Sequence, residues 1–276
     1  MPNRKSSPLL QLATAVGLVI AYFIARERKK RTPLSPANDA SNNVYDLNAG
    51  GHALAGAALL LADLWAIPAV LRGKAAISTE ELSAIDSALV PHYDRAALGY
   101  SGTRARQYQR TSDRVLGGLV AAPLVLTIAV RPMRAQWQSV SALYLWAQAV
   151  AYTLYSFSPL GPAFVDKYRP VVYYPDLEEA IRVAGNNRNA RFSGHTACGA
   201  CAAFFVATAL RHFGLVRGAG SRAGIYVAAL GPAMLLGWLR MKALKHFPSD
   251  VAQAIVIGAG YGALLPGLYR AQERKP

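Results

Sequence analysis

The chain has 276 residues, 53% of them hydrophobic and only 16% charged, with a net charge of +15. The apolar residues come in long blocks almost free of charge, which excludes an ordinary soluble helical protein, whose helices carry polar residues on their outer face. Lys and Arg gather in the links between blocks, the distribution that orients membrane proteins, so the excess charge does not indicate a nucleic-acid partner.

In chain order the blocks are 9–25, 52–71, 115–130, 137–157, 196–210, 223–239 and 251–268. A spanning helix needs roughly 17–25 mostly apolar residues, which each block reaches alone or with a flanking turn. The expected fold is therefore an all-α, polytopic membrane bundle of six to seven transmembrane helices. The first block lacks a small-x-small cleavage site and runs into the basic stretch Arg26 to Arg31, so it reads as an uncleaved anchor. Residues 1–51 then comprise anchor, basic run and linker, and residues 52–276 one helical domain. Asp63 interrupts the second block, where an intramembrane acid is costly unless it faces protein or water, and a buried polar contact is expected for it.

Basic residues recur at 26–31, at Arg131 and Arg134, at Arg211, Arg217 and Arg222, and at Arg270, Arg274 and Lys275. With seven spans all four groups fall on one side, the cytoplasmic one. The opposite side receives the connections 72–114, 158–195 and 240–250. In the first of these, Ser78 and Glu81 offer a capping box, and Leu82, Ile85 and Leu89 share one helical face, which predicts an interfacial amphipathic helix.

The polar residues with chemical potential collect on this second side. "KYRP" supplies Lys167 and Arg169, "RFSGH" supplies Arg191, Ser193, Gly194 and His195, and "RMKALKHFPSD" supplies Arg240, His246 and Asp250. Basic residues at span ends often just meet lipid headgroups. Two histidines at span entrances, an acid one turn from His246, arginines and a Ser-Gly turn at a helix start instead suit an anion, because helix amino termini and guanidinium groups bind phosphate.

"HTACGAC" offers a rival chemistry through His195, Cys198 and Cys201. On a helix each three-residue step turns about 300°, so the row drifts by roughly 120° over two steps and does not converge on one metal. The stretch reads as an apolar span of small residues in which cysteine behaves as a small hydrophobe.

The order Arg-Pro, Ser-Gly-His and Arg-x5-His-x3-Asp resembles the type 2 phosphatidic acid phosphatase superfamily of membrane lipid phosphatases, whose motifs also occur in soluble vanadium haloperoxidases. The resemblance runs from about residue 94 to 268. It implies His246 as the nucleophile of a phosphohistidine reaction, Asp250 holding its ring, and His195 as general acid and then base. Arg169, Arg240, Ser193 and the Gly194 amide would bind the phosphoryl oxygens, with no metal and no other cofactor. A lipid phosphate or pyrophosphate is the implied substrate and the membrane the only implied partner, with the site on the periplasmic face of a bacterial inner membrane. Phosphotransfer to another lipid, or a non-catalytic protein keeping a degenerate phosphate site, are the alternatives. The pattern departs from the family at Pro162, where its first motif has lysine, at Phe192, where proline is common, and at Leu239, where serine is common. Lys167, two residues before Arg169, is the candidate replacement for the missing lysine.

Overall fold

The computed structural model describes residues 43–158 and 161–271, so the predicted first span and the basic run after it lie outside the described residues. Among the described residues the secondary structure is helical, with two isolated bridge pairs. Six long helices make the body: α1 (Ala49–Arg72), α3 (Ala105–Ala129), α5 (Trp137–Phe157), α7 (Gly194–His212), α8 (Ala219–Lys242) and α9 (Pro248–Leu268). Three short ones decorate the links: α2 (Thr79–Ser83), α4 (Arg131–Arg134) and α6 (Glu179–Arg182).

Four of the long helices, at Ala49–Ala69, Gly102–Ala129, Ala219–Lys242 and Pro248–Leu268, are long and apolar enough to cross a membrane. The other two, α5 and α7, have the length but are less apolar, and their position explains why. Fourteen of the 21 residues of α5 and twelve of the 19 of α7 are buried, so these helices face protein, where polar side chains find partners. Gln148 of α5 donates to the Tyr144 hydroxyl at 2.9 Å and the Cys198 carbonyl at 3.1 Å. Thr153 donates to Asp63 at 2.6 Å, and Asp63 is 2% exposed, which is the buried polar contact expected of it.

α1 packs on α5, and α7 packs on α9, α8 and α3. The closest approach is that of α7 and α9. A Cβ on Gly258 or Gly262 would strike the carbonyl of Ala197 or Cys201, so small residues four apart on α9 let the two backbones meet. Cys201 is buried in that interface.

At one end of the bundle the chain entering α1 meets the turns after α7 and α9. Val44 N–H donates to Gln136 at 2.8 Å, Asp46 N–H to the Tyr269 carbonyl at 2.9 Å, and the Tyr45 and Phe213 rings lie 5.9 Å apart. The basic residues of α4 and of the α7–α8 link belong to this end.

The other end is closed by the connections 73–104 and 158–193. The capping box is formed, with Glu81 N–H donating to Ser78 Oγ and Ser78 N–H to the Glu81 carboxylate. The expected interfacial helix nevertheless stops after one turn. Asp86 caps a fresh 3-10 turn by accepting from Ala88 N–H, and Pro91 follows. Leu82 and Ile85 turn inward onto Ile77, Val171, Val172 and Leu244, and Leu89 alone stays 80% exposed. The segment folds onto the neighbouring loop as part of a small outer core.

Candidate active site

Three backbone devices bring the three motifs together. Residues 167–190 double back on themselves. Lys167 N–H donates to the Arg188 carbonyl at 2.8 Å, Arg169 N–H to Asn187 at 2.8 Å and Ala190 N–H to Lys167 at 2.9 Å. This clamp fixes Arg169, whose Nε donates to the Asn189 carbonyl at 3.3 Å, and presents the Ala190 carbonyl.

The second device is the start of α7. Ser193 is its N-cap, accepting from Thr196 N–H at 3.3 Å and the Thr196 hydroxyl at 2.9 Å. Gly194 is required next, because a Cβ there would stand 2.8 Å from the Tyr155 ring.

The third is the end of α8. Lys245 N–H donates to the Arg240 carbonyl and Leu244 N–H to the Met241 carbonyl, the paired bonds of a Schellman turn, whose left-handed residue is usually glycine. Here it is Leu244, at φ 56°. A non-glycine residue in that region is strained by about 1–2 kcal/mol. The strain is offset by the Leu244 side chain, fully buried against Ile77, Val171 and Val172, while Val171 N–H donates to the Leu244 carbonyl. The turn reverses the chain so that Arg240, Lys245 and His246 all line one cavity.

That cavity, of about 730 Å³, has two arms. The polar arm is lined by Asp113, Arg169, Asn186, Gly194, His195, Arg240, Lys245 and His246. The apolar arm is lined by Leu60 and Ile67 of α1, by Leu116, Val120 and Leu124 of α3, and by Tyr144, Leu145 and Tyr152 of α5. From Asp113 to Leu124 is roughly 16 Å along α3 at 1.5 Å per residue, about half the hydrocarbon thickness of a bilayer.

The electrostatics of the polar arm favour an anion. Arg169 and Arg240 are 6% and 5% exposed. Arg240 donates to Ser112 at 3.2 Å and lies 3.7 Å from Asp113, while its Nε has no hydrogen-bond partner. Burial lowers the Arg169 pKa, and burial followed by the charges of Arg169 and Arg240 lowers that of Lys245 to about 8. Three cations thus share a recess in which Asp113 is the lining carboxylate.

The histidines are held by different groups. His246 Nδ1 is 2.9 Å from the Ala190 carbonyl, an acceptor only, so Nδ1 carries the proton and Nε2 keeps its lone pair. Burial, then Arg240 and Arg169, hold its pKa well below the usual histidine value, which keeps the ring neutral. His195 Nε2 is 3.0 Å from Asp113.

Two sequence expectations for this region differ from the geometry. Asp250 does not hold His246. Its carboxylate accepts from Phe247 N–H at 2.9 Å, capping α9, and pairs with Lys167 at 2.7 Å. Lys167 does not line the cavity. Its ammonium is shared between Asp250, Asp94 at 3.3 Å and Ser249 at 3.2 Å, and lies over the Phe247 ring. Ser193 sits beneath the cavity floor as a cap, whereas Arg169, Gly194, His195, Arg240 and His246 line the cavity. Asp113, Asn186 and Lys245 complete its polar arm and were not expected there. Only Lys245 left a trace in the sequence, as the cation beside His246.

Among the described residues no group of His, Cys, Asp and Glu side chains is arranged to hold a metal ion. No curated protein and no solved structure matches the chain. Residues 141–274, which supply every cavity-lining cation and both cavity-lining histidines, match the family model of the PAP2 superfamily.

Proposed function

We propose that this protein is an integral-membrane phosphatase that hydrolyses the terminal phosphate or pyrophosphate monoester of a lipid. The observation that carries the reading is one cavity in which cations and two histidines share the lining with apolar side chains of α1, α3 and α5. A phosphate fits the polar arm and a hydrocarbon chain from one leaflet the apolar arm.

In the proposed mechanism the Nε2 lone pair of His246 attacks phosphorus in line with the ester bond. The P–N bond forms as the P–O bond to the lipid breaks, and His195 delivers a proton to the leaving oxygen. Asp113 holds His195 through Nε2, which leaves Nδ1 for that transfer. His195 then accepts a proton from water, whose oxygen attacks the phosphohistidine, releasing inorganic phosphate and restoring His246. Arg169, Arg240 and the Gly194 amide stabilise charge on the equatorial oxygens.

In this reading α5 and α7 cross the bilayer with the four more apolar helices, making six spans in the described residues and seven with the N-terminal block. The basic end faces the cytoplasm, and the site faces the periplasm of a bacterial inner membrane. The alternation of basic links supports this orientation.

The test is phosphate release by purified protein in detergent across a panel of lipid phosphates and diphosphates. His246→Ala should abolish turnover and phosphoenzyme formation. His195→Ala should slow turnover by about 10²–10⁴-fold, and by less with an activated leaving group such as p-nitrophenolate. A fully active His246→Ala protein would end this reading.

A further inference from the structure

Lys245 is the cavity cation for which neither motif spacing nor the mechanism above has a role. The position from which the family's first motif supplies a lysine is Pro162 here, and Lys167 spends its ammonium on Asp94 and Asp250. Arg191 does not line the cavity. Lys245 does, and among the described residues its ammonium makes no hydrogen bond or ion pair. The charged and titratable groups around it are Arg169 and His246 from the loops, Arg240 from α8, Asp113 from α3 and His195 from α7. A partly buried ammonium beside two buried guanidinium groups and one carboxylate is poorly compensated unless an anion joins it.

The geometry points to Lys245 as the third cation of the phosphate clamp, delivered from the turn after α8 instead of from the loop before Arg169. The Leu244 turn makes this possible, since the left-handed residue folds Lys245 back over the Arg240 carbonyl to the cavity rim. Placing the lysine next to His246 ties the clamp and the attacking histidine to the same rigid turn. The inference rests on the phosphate-handling reading and names a residue of its substrate site.

The experiment is calorimetric titration of the purified full chain with inorganic phosphate, on the parent, Lys245→Met and Lys245→Arg. Methionine keeps the apolar stem and removes one charge-assisted contact, so phosphate should bind about 10- to 150-fold more weakly, while arginine should restore binding to within a few-fold. The parent's affinity should fall as pH rises through about 8, where Lys245 loses its proton, and that of Lys245→Arg should not. If Lys245→Met binds phosphate like the parent, Lys245 is not in the clamp and the phosphatase reading stands. If Lys245→Met does not fold, the pH comparison decides, and an equal decline in parent and Lys245→Arg overturns the inference. A parent that binds no phosphate at any pH overturns both.

Discussion

The Leu244 turn makes a stability prediction in which the usual penalty of glycine against alanine disappears. Leu244→Ala removes a fully buried side chain from the outer core and should cost about 2–5 kcal/mol, the range for large-to-small core changes. Leu244→Gly removes the same packing and one methyl more. At an ordinary position glycine would be less stable than alanine by about 0.5–1 kcal/mol, because its unfolded chain is freer. At φ 56°, however, alanine keeps the left-handed strain of about 1–2 kcal/mol and glycine has none. Strain relief offsets the entropy term and the lost methyl, worth about 0.8 kcal/mol, so Leu244→Gly should be about as stable as Leu244→Ala, where an ordinary position would lose about 0.5–1 kcal/mol to the entropy term alone. Ala180→Gly on the exposed α6 is the control and should lose about that amount. Unfolding by SDS titration in mixed micelles measures all three against the parent. If Leu244→Gly proves less stable than Leu244→Ala by about 1.5 kcal/mol, the entropy term and the methyl with no strain relief, the strained turn is not present in the protein, and the route by which Lys245 reaches the cavity goes with it.

Lys167→Met should destabilise the protein by about 3 kcal/mol, because it strands two carboxylates that are 3% and 1% exposed, yet phosphate affinity of the folded protein should stay near the parent's. A stable Lys167→Met protein with weakened phosphate binding would restore Lys167 to the clamp. Gly194→Ala should cost about 1–3 kcal/mol by overpacking against Tyr155, which is itself wedged between Phe192 and Tyr152, and should slow turnover by shifting His195; unfolding midpoints and phosphate release check both. Cys198→Ala with Cys201→Ala should keep most of the phosphatase activity, since both thiols act as small apolar groups; loss of activity in a folded double variant would refute this.

How much of this was legible in the sequence differs between helices and links. The six long helices are visible as apolar blocks because a membrane-length run of such residues has few other structures open to it. The sequence does not reveal which blocks are central. α5 and α7 carry Gln148, Thr153 and Thr208, and only their burial shows that these polar groups are satisfied inside the bundle. The connection 72–114 went astray because Leu82, Ile85 and Leu89 do share a helical face. Periodicity cannot see that Asp86 and Pro91 end the helix, or that Val171, Val172 and Leu244, far along the chain, complete a core for two of the three.

At the site, residues within a motif were legible and partners across motifs were not. Arg169, Gly194, His195, Arg240 and His246 converge as expected, because each motif fixes its own residues against a helix end. The pairing of His246 with Asp250 assumed one helical turn between them, but α9 begins at Pro248, so His246 precedes the helix and the Asp250 carboxylate turns back to cap it. The group that does hold His246, the Ala190 carbonyl, is 56 residues away, and His195 finds Asp113 at a separation of 82. Lys167 and Lys245 show the same limit for charge. Proximity in sequence to Arg169 favoured Lys167, but an ammonium settles where carboxylates are, and the buried Asp94 and Asp250 hold it outside the cavity lining. Among the described residues Lys245 has no such partner, and it stands in a recess where a bound anion would supply its counter-charge.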